Sequence, residues 1–285
     1  MARISDLCAL YDGHLLPVLP KGNGVCPICH GLLSSGTGYC YQCKEAQSKL
    51  PATADVIGFI ALAVKGEQLA TDLWVYKSSR AHEARLRPQL GLSAVLWRWL
   101  SLHESCLANA SGVDGFPLVT TVPSAIHRHP HPLTTIVSST VKITSDRYIE
   151  LLKPSEPAYD AACSEHARNE HARNEHVMNE RVMNERVMNS KRYVVTRTPT
   201  GNPEPVLIID DTFTSGAHIQ SAAACLSDAG YGPIAALCIG RHFNRRPEKR
   251  GYIQFAESYY RAARQLGWSW DECSLCNTRT SAGTI

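Results

Sequence analysis

The chain has 285 residues, 44% hydrophobic and 19% charged, enough to bury a sizeable core and unlike a disordered or fibrous sequence. Its 29 Lys and Arg against 26 Asp and Glu leave +3, which forces neither a nucleic-acid nor a membrane partner, so any basic site is local. The most apolar early stretch, Val56 to Val64, is far shorter than the ~20 residues of a membrane span. The N-terminus, charged at Arg3, Asp6 and Asp12, lacks the pattern of a signal peptide, so the expectation is a cytoplasmic protein with no membrane contact.

Four pieces separate by composition. Residues 1–50 are Gly- and Cys-rich with little periodicity, which predicts a small module held by metal instead of by a core. Residues 51–160 alternate apolar runs with Pro and Gly breaks, as in a mixed α/β domain, with strands expected at Asp72–Tyr76 and Phe116–Val122 and a helix at Leu92–Leu102. Residues 165–189 are five copies of a five-residue unit, EHARN twice, then EHVMN, then ERVMN twice. Such a period rotates each copy by about 140° around an α-helix, so His166, His171 and His176 cannot share one face. The tract reads as a solvated insertion in the second domain, 51–285, with a metal or nucleic-acid role as the alternative.

The last piece, 191–285, has the strongest pattern. Pro205 to Ile209 is a continuous apolar run, as in a strand buried on both faces of a parallel sheet, and Asp210 to Gly216 breaks it. Helical spacing returns from Ala217 to Ala229, Gly230 and Gly232 end it, and Ile234–Ile239 supplies another strand. This is a βαβ unit, followed by a helix near Tyr252–Leu266 and a tail containing Trp268 and Trp270, which read as core or interface residues.

Eleven cysteines is an odd number: six lie in CxxC pairs, and Cys8, Cys106, Cys163, Cys225 and Cys238 stand alone, which suits metal binding in a reducing compartment. Cys26, Cys29, Cys40 and Cys43 form two CxxC knuckles ten residues apart, with Gly31, Gly36 and Gly38 between them. Four thiolates with that spacing suit a tetrahedral structural zinc with no open position for substrate. Cys273 and Cys276 make half of such a site, which either pairs with Cys8 or a distant His or remains two inert thiols.

Asp210 and Asp211 end a buried strand, where two adjacent carboxylates are costly unless they meet hydroxyls, cations or water. The small and hydroxyl residues Thr212, Phe213, Thr214, Ser215, Gly216 and Ala217 then open a helix, whose free amides and positive dipole end favour an anion. Acids for sugar hydroxyls and a helix start for phosphate together suit a ribose phosphate.

This stretch resembles the phosphoribosyl pyrophosphate loop of type I phosphoribosyltransferases, a hydrophobic strand followed by two acids and a Thr-Thr-Gly-Ala-Thr-like turn. With the cysteine knuckles, the chain resembles the ComF family of competence-associated phosphoribosyltransferases over most of residues 20–245. Tyr76-Lys77 looks like that family's Tyr-Lys element, and Val122-Pro123-Ser124 like its strand-end Val-Pro loop. The resemblance implies an α/β type I phosphoribosyltransferase-like parallel sheet behind a zinc ribbon, with Asp210 and Asp211 on the ribose hydroxyls, Thr212 to Ala217 around the 5′-phosphate and the Val-Pro loop at the pyrophosphate. It also implies magnesium as a partner of the diphosphate and transfer of ribosyl phosphate to a nitrogenous acceptor. The alternative is a silent, ligand-sensing or DNA-uptake accessory protein whose zinc ribbon contacts a protein or nucleic acid.

The sequence departs from the family pattern at Thr212, where an aliphatic residue is usual, and at His218, which replaces a small hydroxyl residue but can still donate to phosphate. Where the family carries an Arg-Gly-Phe-Asn-Gln-like segment, this chain has His127, Arg128, His129 and His131, either diphosphate contacts or a solvated Pro-rich loop. Arg241, Arg245, Arg246, Lys249 and Arg250 cluster after the last strand, either as a solvated connection or as a contact for nucleotide or nucleic acid.

Overall fold

The computed structural model describes residues 4–22, 24–33, 38–79, 81–124, 131–155, 187–247 and 252–276. Most of the pentapeptide tract, together with His127, Arg128, His129, Lys249 and Arg250, lies outside the described residues. Two short helices, α1 (Ile4–Ala9) and α2 (Tyr41–Lys49), precede strand β1 (Val56–Val64). Then come α3 (Gln68–Ser78), α4 (His82–Ala110), β2 (Leu118–Thr121), α5 (Pro132–Thr135), a π-type turn (Ile136–Thr140) and α6 (Lys142–Ser145). Strand β3 (Leu152–Pro154), a 3-10 turn (Ser190–Arg192) and β4 (Tyr193–Val195) follow, and β5 (Val206–Phe213), α7 (Ala217–Asp228), β6 (Ile234–Phe243) and α8 (Ile253–Leu266) complete the order.

Four strands form one parallel sheet in the order β1-β6-β5-β2, so the chain is α/β with helices on both faces. The apolar run expected after Pro205 does become its buried strand. It does not stop at Ile209, because pairing with β6 continues to Phe213 opposite Arg241. The two acids therefore stand inside the strand, on opposite faces, which follows from the period of two. Along β6, Ile234, Ala236 and Cys238 join one core while Ala235, Leu237 and Ile239 join the other.

The first core is covered by α7, α8 and the segment around Leu16 to Leu33, the second by α1, α3 and α4. Cysteines alone do not hold the residues before β1, since Leu16, Val18, Leu19 and Val25 are buried in the same cluster as Phe59 and Ile208.

The strand expected at Asp72–Tyr76 is instead part of helix α3. Leu69, Leu73 and Tyr76 recur at helical spacing and are buried, whereas Trp74 between them is 67% exposed. Its β-favouring aromatic and branched residues point to a strand locally, but burial of that single face decides the outcome. A Cβ at Gly240 would lie 2.5 Å from Leu73 Cδ1 and 2.8 Å from Ala63 Cβ, so the bare glycine of β6 lets α3 approach the sheet closely. The helix expected at Leu92–Leu102 grows to 29 residues and includes Pro88. Val56–Val64, weighed from sequence only as a membrane span, is β1. Among the described residues no helix is long and apolar enough to cross a membrane.

Candidate functional site

Strands β2 and β5 are parallel neighbours, so their carboxyl ends open on the same edge of the sheet, where open α/β sheets bind ligands. Val122, Pro123 and Ser124 leave β2 there, with the Val122 amide 3.4 Å from the Ile209 carbonyl. Thr121 Oγ1, at the last position of β2, lies 3.3 Å from both Thr134 Oγ1 and the Tyr148 hydroxyl. Next to Tyr148, Arg147 joins this part of the fold to α4, its Nη1 and Nη2 donating to Glu104 at 2.6 and 2.9 Å.

At the end of β5, Asp211 is nearly fully buried, and its two oxygens accept from the Tyr76 hydroxyl and from Lys77 Nζ, the latter at 2.5 Å. Both donors come from the last turn of α3, the helix that Gly240 admits to the sheet. Burial alone would raise the Asp211 carboxyl, but the Lys77 ammonium, with His131 and the Tyr76 hydroxyl, more than offsets it and holds the group below the usual carboxylate range. Burial, followed by the Asp211 charge, pushes Asp210 the other way, above that range. The pair thus holds one secure charge and one that gains from any cation or hydroxyl donor brought next to it.

Beyond the acids the chain bends through Thr214, exposed, and Ser215, whose Oγ accepts from the Ala217 amide at 3.3 Å. Gly216 closes the bend with φ +81°, and a Cβ there would lie 2.4 Å from the Phe213 ring. Only glycine meets both demands, the left-handed backbone and the close approach. Helix α7 starts at Ala217, and its first-turn amides, of which that of Ala217 is taken by Ser215, lie at the bend with no preceding helical turn to accept them.

The structure brings Asp210, Asp211, Thr212 to Ala217 and Val122 to Ser124 to one edge. Burial, then the neighbouring Arg192, lowers the His218 imidazole to about 3, so the ring favours its neutral form, which keeps one N–H to donate. Its Nδ1 lies 3.0 Å from the Tyr193 hydroxyl and 3.2 Å from Arg192 Nη1. Arg192, which the sequence reading leaves unnamed, thus places a cation beside the first turn of α7. It lies just beyond the pentapeptide tract, whose last copy ends against α7: Met188 packs with Ala217 and Ala224, and the Asn189 amide donates to Ser221 Oγ at 3.0 Å.

The described residues of the basic run, of which Arg241 lies within β6 itself, do not form a single patch. Arg241 turns inward, Arg245 pairs with Glu257 at 3.1 Å and covers the Tyr260 ring, and Arg246 is exposed.

Cys26, Cys29, Cys40 and Cys43 do converge, with their sulfurs within 4.8 Å of one another, so the group can hold a metal such as zinc. Cys29 and Cys40 Sγ stand 3.5 Å apart, and the Cys40 amide points at Cys26 Sγ from 3.5 Å, as a thiolate shell requires. Contact with Cys29 and the other sulfurs draws the Cys26 thiol down, and four thiols this close lose their protons together only when a cation is bound among them. Arg241 joins this group to the bend: its Nε donates to the Cys29 carbonyl at 2.8 Å, its Nη2 lies 3.7 Å from Cys29 Sγ, and its guanidinium sits 5.0 Å from the Phe213 ring centre.

The tail pair Cys273 and Cys276 meets Cys106 and His103 of α4 in a second group with potential to hold a metal. Cys8, one partner considered for it, is elsewhere, its thiol 3.5 Å from the Ala94 carbonyl.

Comparison with protein-family models, with curated proteins and with solved structures found no match.

Proposed function

We propose that the chain is a type I phosphoribosyltransferase-like protein of ComF type, which binds phosphoribosyl pyrophosphate with magnesium at the β2–β5 edge and transfers ribosyl phosphate to a nitrogenous acceptor. The observation that carries this reading is the Asp210–Asp211 pair, one carboxylate anchored by two side chains and the other held, among the described residues, only by the Asp211 amide at 2.9 Å, before an exposed hydroxyl bend and the start of a 12-residue helix. Asp211, already held by Lys77 and Tyr76, is a fixed acceptor for a ribose hydroxyl, and Asp210 gains a hydrogen bond that lowers the cost of its charge. Thr214, Ser215 and the first amides of α7 donate to the 5′-phosphate, with Arg192 as a nearby cation. Thr121 and the Val122–Ser124 segment line the side expected to face the diphosphate. No nucleophile on the protein is required: the chain holds the anomeric carbon in place and supplies preorganised dipoles as charge moves to the leaving diphosphate. Magnesium, when bound, neutralises charge on that diphosphate, and Asp210 is the carboxylate whose surroundings favour a cation beside it. The four-cysteine group would hold a structural zinc that fixes Arg241 and, through it, the bend.

Calorimetry with phosphoribosyl pyrophosphate and magnesium tests the reading. Binding should occur, and Asp211→Asn should weaken it by about tenfold or more, ~1.4 kcal/mol. Release of pyrophosphate with a panel of nucleobases identifies a transferase. Binding without release in every case identifies the sensor alternative, for which the occupation of Asp211 by Lys77 speaks. Absence of binding at millimolar ligand would sink both.

A further inference from the structure

Helix α4 and the C-terminal tail come together at four soft donors. His103 and Cys106 are three residues apart on α4 and so share one face, one turn apart. Cys273 and Cys276 belong to a turn in which the Cys276 amide donates to the Cys273 carbonyl at 3.2 Å. The sulfurs of Cys276 and Cys106 are 3.3 Å apart, those of Cys276 and Cys273 3.2 Å, and His103 Nδ1 lies 3.6 Å from Cys276 Sγ and 3.8 Å from Cys106 Sγ. A tetrahedron with metal–sulfur bonds of ~2.3 Å has edges of about 3.8 Å, so these four atoms require only slight spreading to surround one ion.

The imidazole is set for that role. Its Nε2 is 2.8 Å from the Trp270 carbonyl, and a carbonyl can only accept, so Nε2 carries the hydrogen and Nδ1 keeps its lone pair toward the thiols. A ligating histidine commonly has its second nitrogen fixed in this way by a carbonyl. Trp270 is itself pinned, its indole N–H donating to Asp12 at 3.2 Å and its ring lying under Arg98 at 4.4 Å. Three thiols and an imidazole nitrogen this close exclude the wider spread of sulfurs around an iron–sulfur cluster and suit a single zinc.

We propose that His103, Cys106, Cys273 and Cys276 bind a second, structural zinc ion that fastens the tail to α4. Four protein ligands close the shell, so the ion has no position for substrate. Its ligands are as much as 173 residues apart in sequence and meet only in the folded chain, so the free energy of binding the ion adds to that of folding.

The test is metal content of the full chain, purified under reducing conditions with no metal added and measured by plasma mass spectrometry. Two zinc ions per chain are expected. Cys276→Ser and Cys106→Ser should each lose one while Cys43→Ser loses the other, and His103→Cys should retain two. A wild-type chain holding one zinc that Cys276→Ser leaves in place, or a disulfide among Cys106, Cys273 and Cys276 in freshly prepared protein, overturns the proposal. Should the serine variants fail to fold, cobalt(II) added to metal-stripped wild type gives the answer: tetrahedral thiolate absorption rising to two equivalents supports the second site, and saturation at one overturns it.

Discussion

The two cysteine groups are alike in composition and opposite in construction. Cys26 to Cys43 is assembled within 18 residues from two knuckles, and its neighbour on the domain side is Arg241 at the end of β6, in contact with Phe213 in the bend. The His103 group is assembled across the chain, from one helix and the tail, and its neighbours are Trp270 and α4. Local spacing thus builds a group next to the candidate ligand site, and long-range folding builds one that secures the far surface. The first should influence ligand binding and the second should influence stability alone.

Removing metal from both groups is the harshest challenge to this contrast. A chelator strong enough to strip structural zinc should lower the melting temperature by on the order of 10 °C or more, since each kcal/mol shifts a chain of this size by ~2–4 °C and two structural ions contribute several kcal/mol. An unchanged melting curve would show that neither group contributes. Next, Cys43→Ser should weaken phosphoribosyl pyrophosphate binding by about tenfold, ~1.4 kcal/mol, whereas Cys276→Ser should change it by less than about twofold. Calorimetry on the two variants reads the contrast directly, and equal losses would erase it.

Arg241→Lys probes the link itself. Lysine lacks the fork that reaches the Cys29 carbonyl and the His242 carbonyl together, so an affinity loss of about threefold to tenfold is expected with metal content unchanged. Gly31→Ala should reproduce a milder version from the other side, because its Cβ would lie 2.4 Å from Arg241 Nη2, the end of a flexible side chain. A factor of about two in affinity is expected, with the fold retained. Arg245→Ala should do least, less than ~0.5 kcal/mol of stability by thermal denaturation, because its pair with Glu257 is largely solvent-screened.

The sequence reveals a feature where its cause is local. Cys26-Pro-Ile-Cys29 and Cys40-Tyr-Gln-Cys43 carry their own geometry, and the apolar run into Asp210 and Asp211 declares a buried strand before a bend, so both candidate sites are visible before folding. Lys77 shows why the rest is not. It reaches Asp211 only because α3 lies against Gly240, an approach that depends on a residue more than 160 positions away. Asp72 to Tyr76 is misleading for a related reason, since its residues favour a strand locally and one buried face makes them helical. His103 and Cys106 lie just past the helix expected at Leu92–Leu102, and only its extension to Ala110 sets them one turn apart on a single face.

Antiparallel β3 and β4 pair Leu152 with Val195 and Pro154 with Tyr193, and the Ser155 amide donates to the Arg192 carbonyl at 3.0 Å. This narrow collar sets where the chain departs and returns on either side of residues 156–186, whatever lies between. Slippage of the repeating DNA that adds or removes a unit near Glu165 therefore leaves the collar in register. Losing the final unit leaves an identical ERVMN next to Ser190, whose methionine takes the seat of Met188 between α2 and α7. The tract is thus free to change in number of units, while the side chains of whichever copy comes last are committed to α7.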